Sequence, residues 1–358
     1  MKYTVASMFA GVGGICLGFK DAGAEIIWAN EIDKHACITY RENFGGDYLV
    51  EGDIKDINEK SLPDFDILTA GFPCVAFSVA GRRHGMYYKC EACGHEHTVN
   101  FDSYITGQDY CPLCQGKSKP KDPRGTLFYD IVRVLRAKRP KAFLLENVKN
   151  LVNHDKGNTF RIMKEMLEGE GYHIKYKVLN TMEYGNIPQN RERIFVVGFL
   201  DIDAHEKFEF PNKIKLTKTV NDIINIDEKQ DDRFYYTEES QYYPLLTKSI
   251  KRHDTVYQLR RIYVRENQNN VCPTLTANMG TGGHNVPLII DNYGIRKLTP
   301  RETFLFQGFP EDFVLPEDMA ISQLYKQAGN AVSVPVVRRI AENMLKTLNK
   351  VEYKTKAV

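Results

Sequence analysis

Over its first two hundred residues the chain alternates strand-like and helix-like segments, which confines it to a doubly wound α/β architecture with helices on both faces of a mostly parallel sheet. Tyr3 to Phe9 reads as a strand, and Gly11-Val12-Gly13-Gly14 turns it into an apolar-periodic helix ending near Gly23. Glu25 to Asn30 is a second strand, Asp33 to Asn43 a helix and Tyr48 to Val50 a short strand. Asp66 to Ala70 is a fourth strand, entering Gly71-Phe72-Pro73-Cys74. After an interruption, Leu127 to Ala137 reads as helix, Ala142 to Leu145 as buried strand, Thr159 to Glu168 as helix and Arg193 to Phe199 as strand.

Beyond residue 200 the alternation stops. Residues 200–295 mix charges, Tyr and Asn with short strand-like pieces, so a separate small domain is expected there. Thr299 followed by Pro300 has the chemistry of a helix start, and Val336 to Leu348 reads as a final helix. A length of 358 residues suits two structural units. The longest apolar runs, Ala142 to Leu145 and Val286 to Ile290, fall far short of the roughly 18 residues that span a bilayer. With no signal-peptide pattern after Met1, a cytoplasmic chain without membrane contact is expected. Lys and Arg number 48 against 46 Asp and Glu, a net charge of +2, so any basic surface must be local. The candidates are Arg82-Arg83-His84, Lys117 to Arg124 and Lys248 to Arg265.

Eight cysteines in such a chain point to metal binding or catalysis rather than disulfides. Cys90-x-x-Cys93 and Cys111-x-x-Cys114, with residues 94–110 between them, have the spacing of a four-cysteine zinc ribbon. His95 and His97 lie nearby, but four thiolates already complete a tetrahedron. Cys16, Cys37 and Cys272 read as small buried hydrophobes. Cys74, at the end of the fourth strand, is placed to act as a nucleophile if cations such as Arg191 and Arg193 lower its pKa. Glu146 ends a later strand and supplies a carboxylic acid. The turn Phe9 to Gly14 departs from the dinucleotide fingerprint, since its spacing is G-x-G-G. With Glu31 and Asp53 at neighbouring strand ends, it suits an adenosine-containing cofactor.

These residues, in this order, resemble the cytosine carbon-5 DNA methyltransferase family over nearly the whole chain, from Phe9 to Asn330. The resemblance rests on Phe9 to Gly14, Glu31, Gly52-Asp53-Ile54, Gly71-Phe72-Pro73-Cys74 and Asp122-Pro123-Arg124-Gly125-Thr126-Leu127-Phe128. It continues through Glu146-Asn147-Val148, Gln189-x-Arg191-x-Arg193, Lys297-Leu298-Thr299-Pro300-Arg301-Glu302 and Gln327-Ala328-Gly329-Asn330-Ala331-Val332. One departure is visible, because the family usually has Gln and then a small residue or Pro after the cysteine, where Val75-Ala76 stand here.

The resemblance implies a Rossmann-like S-adenosylmethionine-dependent methyltransferase domain formed by residues 1–199 and 327–358. It places a smaller, mostly irregular or β target-recognition domain at 200–326, with the zinc ribbon inserted at 86–121. It implies catalytic roles for Cys74, Glu146, Arg191 and Arg193. The cofactor would be held by Phe9, Gly11, Gly13, Gly14, Glu31, Ile32, Asp53, Ile54, Pro73 and Asn330, and zinc by Cys90, Cys93, Cys111 and Cys114. DNA contacts are expected at Ser78, Arg82, Gln189 and Thr274. A cytosine flipped out of duplex DNA would receive the methyl group while bound covalently to Cys74.

The resemblance further implies a bacterial or phage-encoded monomer, with any cognate restriction endonuclease acting independently. Beyond the resemblance, the ribbon's place on the loop that closes on the base leads to the expectation that it moves with that loop and touches flanking DNA, with Arg82, Arg83, Lys117, Lys119 and Lys121 at its base; the alternative is a small knob that only stiffens or solubilises the loop. Two other readings are a tRNA cytosine-5 methyltransferase and a catalytically silent DNA-binding homologue. The long segment after residue 200 speaks against the first, and the intact Cys74 and Glu146 against the second.

Overall fold

The computed structural model describes residues 2–72, 87–99, 101–107, 109–121, 123–281 and 285–356. Its first half runs Thr4–Met8 (β1), Gly14–Asp21 (α1), Glu25–Glu31 (β2), Lys34–Phe44 (α2), Leu49–Glu51 (β3) and Ile67–Gly71 (β4). The inserted segment follows as Tyr87–Cys90 (β5), Glu96–Thr98 (β6), Phe101–Ile105 (α3) and Ser118–Pro120 (β7). Next come Leu127–Lys138 (α4), Ala142–Val148 (β8), Asn158–Gly169 (α5), His173–Asn180 (β9), Thr181–Tyr184 (α6), Gln189–Asn190 (β10) and Glu192–Phe199 (β11).

The main sheet has the order β3-β2-β1-β4-β8-β11-β9, with β11 antiparallel to both neighbours and the other pairings parallel. Apolar side chains cover both faces, as a sheet wrapped by helices requires. The direction of β11 matters for the site. It brings Arg193, at the start of its strand, to the edge where β1, β2, β3, β4 and β8 all end. The edge strand β9 escapes sequence reading because Lys175 and Lys177 interrupt its apolar residues, a pattern that keeps an exposed edge from pairing with another chain.

The rest of the chain is Ile202–Lys207 (α7), Tyr243–Ser249 (α8), Tyr257–Leu259 (β12), Val264–Glu266 (β13), Cys272–Pro273 (β14), Leu288–Asp291 (β15), Gly294–Lys297 (β16), Pro300–Phe306 (α9), Ile321–Asn330 (α10) and Val334–Lys356 (α11). A four-stranded antiparallel sheet, β13-β12-β15-β16, forms the centre of the expected small domain, and β14 pairs with β10. Thr299 caps α9 in a reciprocal arrangement with Glu302. Arg296 is fully buried beneath that cap, 2.6 Å from Asp291 and 2.7 Å from Glu302. The expected domain return at residue 327 falls inside α10, a continuous helix that also carries the cavity-lining Lys326. Gly329 sits so close to Thr276 and Ala277 that a Cβ there would lie 2.1 Å from the Thr276 carbonyl carbon, which locks α10 against the 277–280 turn.

The insertion folds as a three-stranded sheet, β6-β5-β7, and is docked on α4. Tyr129 donates to the Val99 carbonyl at 2.5 Å, Tyr104 donates to Asp130 at 3.0 Å, and the two tyrosine rings lie 4.9 Å apart. The expected ribbon is thus tied to α4 through Val99 and Tyr104, while the loop it is expected to move with lies outside the described residues. Lys119 pairs with Glu91 and Lys121 with Glu96, so two of the lysines expected to face DNA are already engaged.

Candidate active site

A cavity of about 460 Å³ opens at the carboxyl edge of the main sheet, beside β1, where the strand order reverses. Phe9, Gly11, Gly14, Glu31, Ile32, Asp53, Ile54 and Asn330 line it, and so do Glu146, Arg191 and Arg193. One cavity thus gathers residues expected at the cofactor and residues expected at the reacting base.

The nucleoside side is built by strand ends. Glu31 accepts the Gly11 N–H at 2.7 Å and the Ile32 and Asp33 N–H groups at 2.9 and 2.8 Å, tying the glycine turn to the end of β2. A carboxylate has about four lone-pair sites, so one acceptor position remains for a hydroxyl. Burial nevertheless pushes the Glu31 carboxyl up, against those three backbone donors. Asn30, which sequence reading passed over, donates to the Val50 and Gly52 carbonyls and shapes the turn before Asp53. Phe9 is held at φ 55°, a left-handed conformation rare for a bulky residue and one that gathers at functional sites. Gly13, between the cavity-lining Val12 and Gly14, does not itself line the cavity. It caps α1 at φ 88°, and a Cβ would meet the Phe44 ring at 2.2 Å, so both its left-handed backbone and its packing call for glycine.

On the other side, Arg193 Nε lies 3.2 Å from Glu146 Oε1. Arg193 stands opposite Val148, and Glu146 opposite Phe195, so the pair crosses the β8–β11 ladder diagonally. Burial pushes the Glu146 carboxyl up, while the Arg193 and Arg191 charges oppose the rise. Asn147 donates to the Phe72 carbonyl at 3.1 Å, and Gly71 and Phe72 line the cavity, so the stem that leads into Pro73 and Cys74 is pinned there. Asn147 was visible in the motif but had no assigned role. Pro73, Cys74, Ser78, Arg82 and Arg83 lie outside the described residues.

Two of the expected contact residues bond buried backbone carbonyls. Arg191 is 2% exposed and lines the cavity, and its guanidinium donates to the carbonyls of Leu275, Gly329 and Ala331, where it joins the β14 region to the end of α10. Gln189 is fully buried, donates to the Phe306 carbonyl at 2.5 Å and accepts the Leu275 N–H. A side chain enclosed in this way cannot touch DNA. Thr274 donates to the Asn190 carbonyl at 2.7 Å and stays partly exposed. Lys326, which lines the cavity and pairs with Asp33 at 2.6 Å, precedes the quoted Gln327 motif by one residue and was missed.

The Sγ atoms of Cys90, Cys93, Cys111 and Cys114 all lie within 4.8 Å of one another, with Cys90–Cys114 at 3.4 Å and Cys93–Cys111 at 3.6 Å. Tetrahedral coordination at Zn–S ≈ 2.3 Å spaces sulfurs by about 3.8 Å, which this cluster accommodates. The Cys93 N–H and the Cys114 thiol draw the Cys90 thiol down to about 6, favouring a thiolate. His97 points elsewhere, 2.8 Å from the Ser118 hydroxyl.

Comparison with known proteins agrees with this arrangement. The Type II methyltransferase M.Bsp6I of Bacillus sp. (strain RFL6) is 52% identical over 346 residues, covering 96% of this chain and 99% of that protein. The Type II methyltransferase M.SsoII of Shigella sonnei is 38% identical over 355 residues, covering 97% and 81%. The crystal structure of the S. pombe Dnmt2 methyltransferase covers 98% of this chain and all of its own, with a TM-score of 0.67 at 19% identity, a likeness of fold. The family model for C-5 cytosine-specific DNA methylase matches residues 3–91 and 114–346, and passes over the segment between the two cysteine pairs. With its cavity, its strand order and this match, the chain belongs to the C-5 cytosine-specific DNA methylase family.

Proposed function

We propose that this DNA methyltransferase modifies carbon 5 of a cytosine flipped from duplex DNA, at a sequence read by its small domain, as the modifying partner of a restriction–modification system. The observation that carries the reading is the shared cavity. Glu31 and Asp53 line it together with the Glu146–Arg193 pair, so a nucleoside cofactor and a reacting base fit side by side.

S-adenosylmethionine, when bound, supplies an electrophilic sulfonium methyl group. The residues present suit it: Glu31 keeps an acceptor site for a ribose hydroxyl, Asp53 offers a second carboxylate, and Ile32, 60% exposed, offers an apolar edge for the adenine. Cys74 adds as thiolate to carbon 6 of the base, and carbon 5 becomes nucleophilic enough to accept the methyl group, whose bond to the sulfonium sulfur breaks and leaves a neutral thioether. Loss of the carbon 5 proton to a base then expels the thiolate and restores the ring double bond. Glu146, its carboxyl raised by burial, is suited to hold a proton at ring nitrogen 3 while negative charge develops there. Arg193 orients that carboxyl, and Arg191 positions the backbone of Gly329 and Ala331, which line the same cavity. The four thiols hold a structural zinc ion.

Incubation of the full chain with S-adenosylmethionine and duplex DNA containing 5-fluorocytosine tests the chemistry, because after methyl transfer the fluorine on carbon 5 cannot leave as a proton does and the thiolate stays bound. A covalent complex is expected with the wild-type chain and none with C74S. An equal yield from both overturns the role of Cys74. Methylation mapping of DNA from expressing cells reports the recognised sequence, and methylation confined to tRNA overturns the duplex-DNA reading.

A further inference from the structure

The segment between the two cysteine pairs, residues 94–110, is anchored at both ends by the thiol cluster and at its middle by α4. A metal at the cluster closes this segment into a loop, and such closure removes conformational freedom the segment otherwise keeps. What the loop grips can be followed atom by atom. Tyr104 donates its hydroxyl to Asp130 Oδ2 at 3.0 Å. Asp130, 2% exposed, turns its other oxygen to Arg133, 3.2 and 3.3 Å from two guanidinium nitrogens. Arg133 donates onward to the Ile54 carbonyl at 2.9 Å and the Ile57 carbonyl at 2.8 Å, and pairs with Glu59. Ile54 lines the cofactor cavity.

We propose that the metal-closed ribbon is a positioning element for the cofactor pocket, acting through Tyr104, Asp130 and Arg133 on the 54–57 backbone. The proposal rests on the cavity being the S-adenosylmethionine site. Its physical basis is the buried carboxylate. Burial favours neutral Asp130, and Arg133 and the Tyr104 hydroxyl oppose that. Without Tyr104, Asp130 loses one of the groups, beside Arg133 and Lys55, that oppose this rise, and its grip on Arg133 weakens. The guanidinium, still paired with Glu59, is then held less firmly against the carbonyls of Ile57 and of the cavity-lining Ile54. Tyr104, Asp130 and Arg133 touch no substrate and are positioning residues. The family match passes over residues 92–113, so Tyr104 comes from the inserted segment, whereas Asp130, Arg133 and Ile54 lie within the matched residues.

The test is calorimetric binding of S-adenosylhomocysteine to the zinc-loaded full chain without DNA, with zinc content measured alongside. Y104F is expected to raise Kd by about fivefold or more, the usual lower range for coupled sites, at unchanged zinc content. Y87F removes a ribbon hydroxyl that bonds Asp155 at 2.9 Å and leads nowhere near the pocket, and it is expected to bind as wild type. D130N, an isosteric change, should act in the same direction as Y104F and serves if Y104F does not fold. Wild-type affinity in both Y104F and D130N overturns the proposal, as does equal weakening in Y87F. A failure of the cavity assignment looks different: E31A would then bind S-adenosylhomocysteine as tightly as the wild type.

Discussion

Glu146 and Arg193 meet at 3.2 Å because β11 runs against the strand it pairs with, so a residue from the start of one strand faces a residue near the end of the other. The pair sits where burial and opposite charge pull the carboxyl in contrary directions, and burial wins.

That balance has a consequence for stability. A carboxyl raised in the folded state binds protons more readily there than in the unfolded chain, so its ionisation lowers stability as pH rises above the unfolded value of about 4.3. E146Q should therefore melt higher than wild type at pH 7.5, with the gap closing near pH 4, while methylation falls by about 10²- to 10⁴-fold. Thermal melts at the two pH values, with single-turnover methylation at pH 7.5, measure both.

Removing metal should unfold the ribbon and spare the sheet. Zinc titration is expected to find one ion per chain bound by four thiols, and chelation should deprotect backbone amides in residues 87–121 while the β1, β4 and β8 amides stay protected. Hydrogen exchange followed by mass spectrometry reads this directly. Simultaneous deprotection of the main sheet would contradict it.

Arg296 carries a different burden. It is fully buried between Asp291 and Glu302, and Glu302 also accepts the Thr299 N–H of the α9 cap at 2.7 Å. Truncation strands two carboxylates, so R296A should cost about 3–5 kcal/mol, whereas R296K should keep part of the pairing. Denaturant unfolding of the three proteins gives the comparison.

The β12–β13 hairpin should meet DNA. Ile262 is 85% exposed at its turn, beside Arg260, Arg261 and Arg265, while Arg252 nearby is taken up by Asp254 and Glu266. R261A is expected to weaken duplex binding and reduce the slope of log affinity against log salt by about one, the signature of a lost phosphate contact. Binding titrations across a salt series decide it; an unchanged slope argues against a phosphate contact.

Local pattern reveals whatever depends on neighbours along the chain. Glycine turns and acids at strand ends announce the cavity, the cysteine spacing announces the thiol cluster, and Thr299-Pro300 with Glu302 announces a capped helix that the structure contains. These motifs are legible because each needs particular side chains at fixed short separations. The edge strand β9 was hidden by its lysines, and Asn147 by having no distinctive chemistry of its own.

By its residues alone, then, the chain determined its α/β alternation, its family and the thiol cluster. Only the tertiary structure decided what the polar side chains of the motifs do. Arg191 and Gln189 carry donors suited to a substrate, yet buried backbone carbonyls must be satisfied, and these two side chains are enclosed where they do so. The ribbon shows the same division: its cysteine spacing foretells a cluster, but the link from Tyr104 through Asp130 and Arg133 to Ile54 exists only once α4 brings distant segments within hydrogen-bond reach.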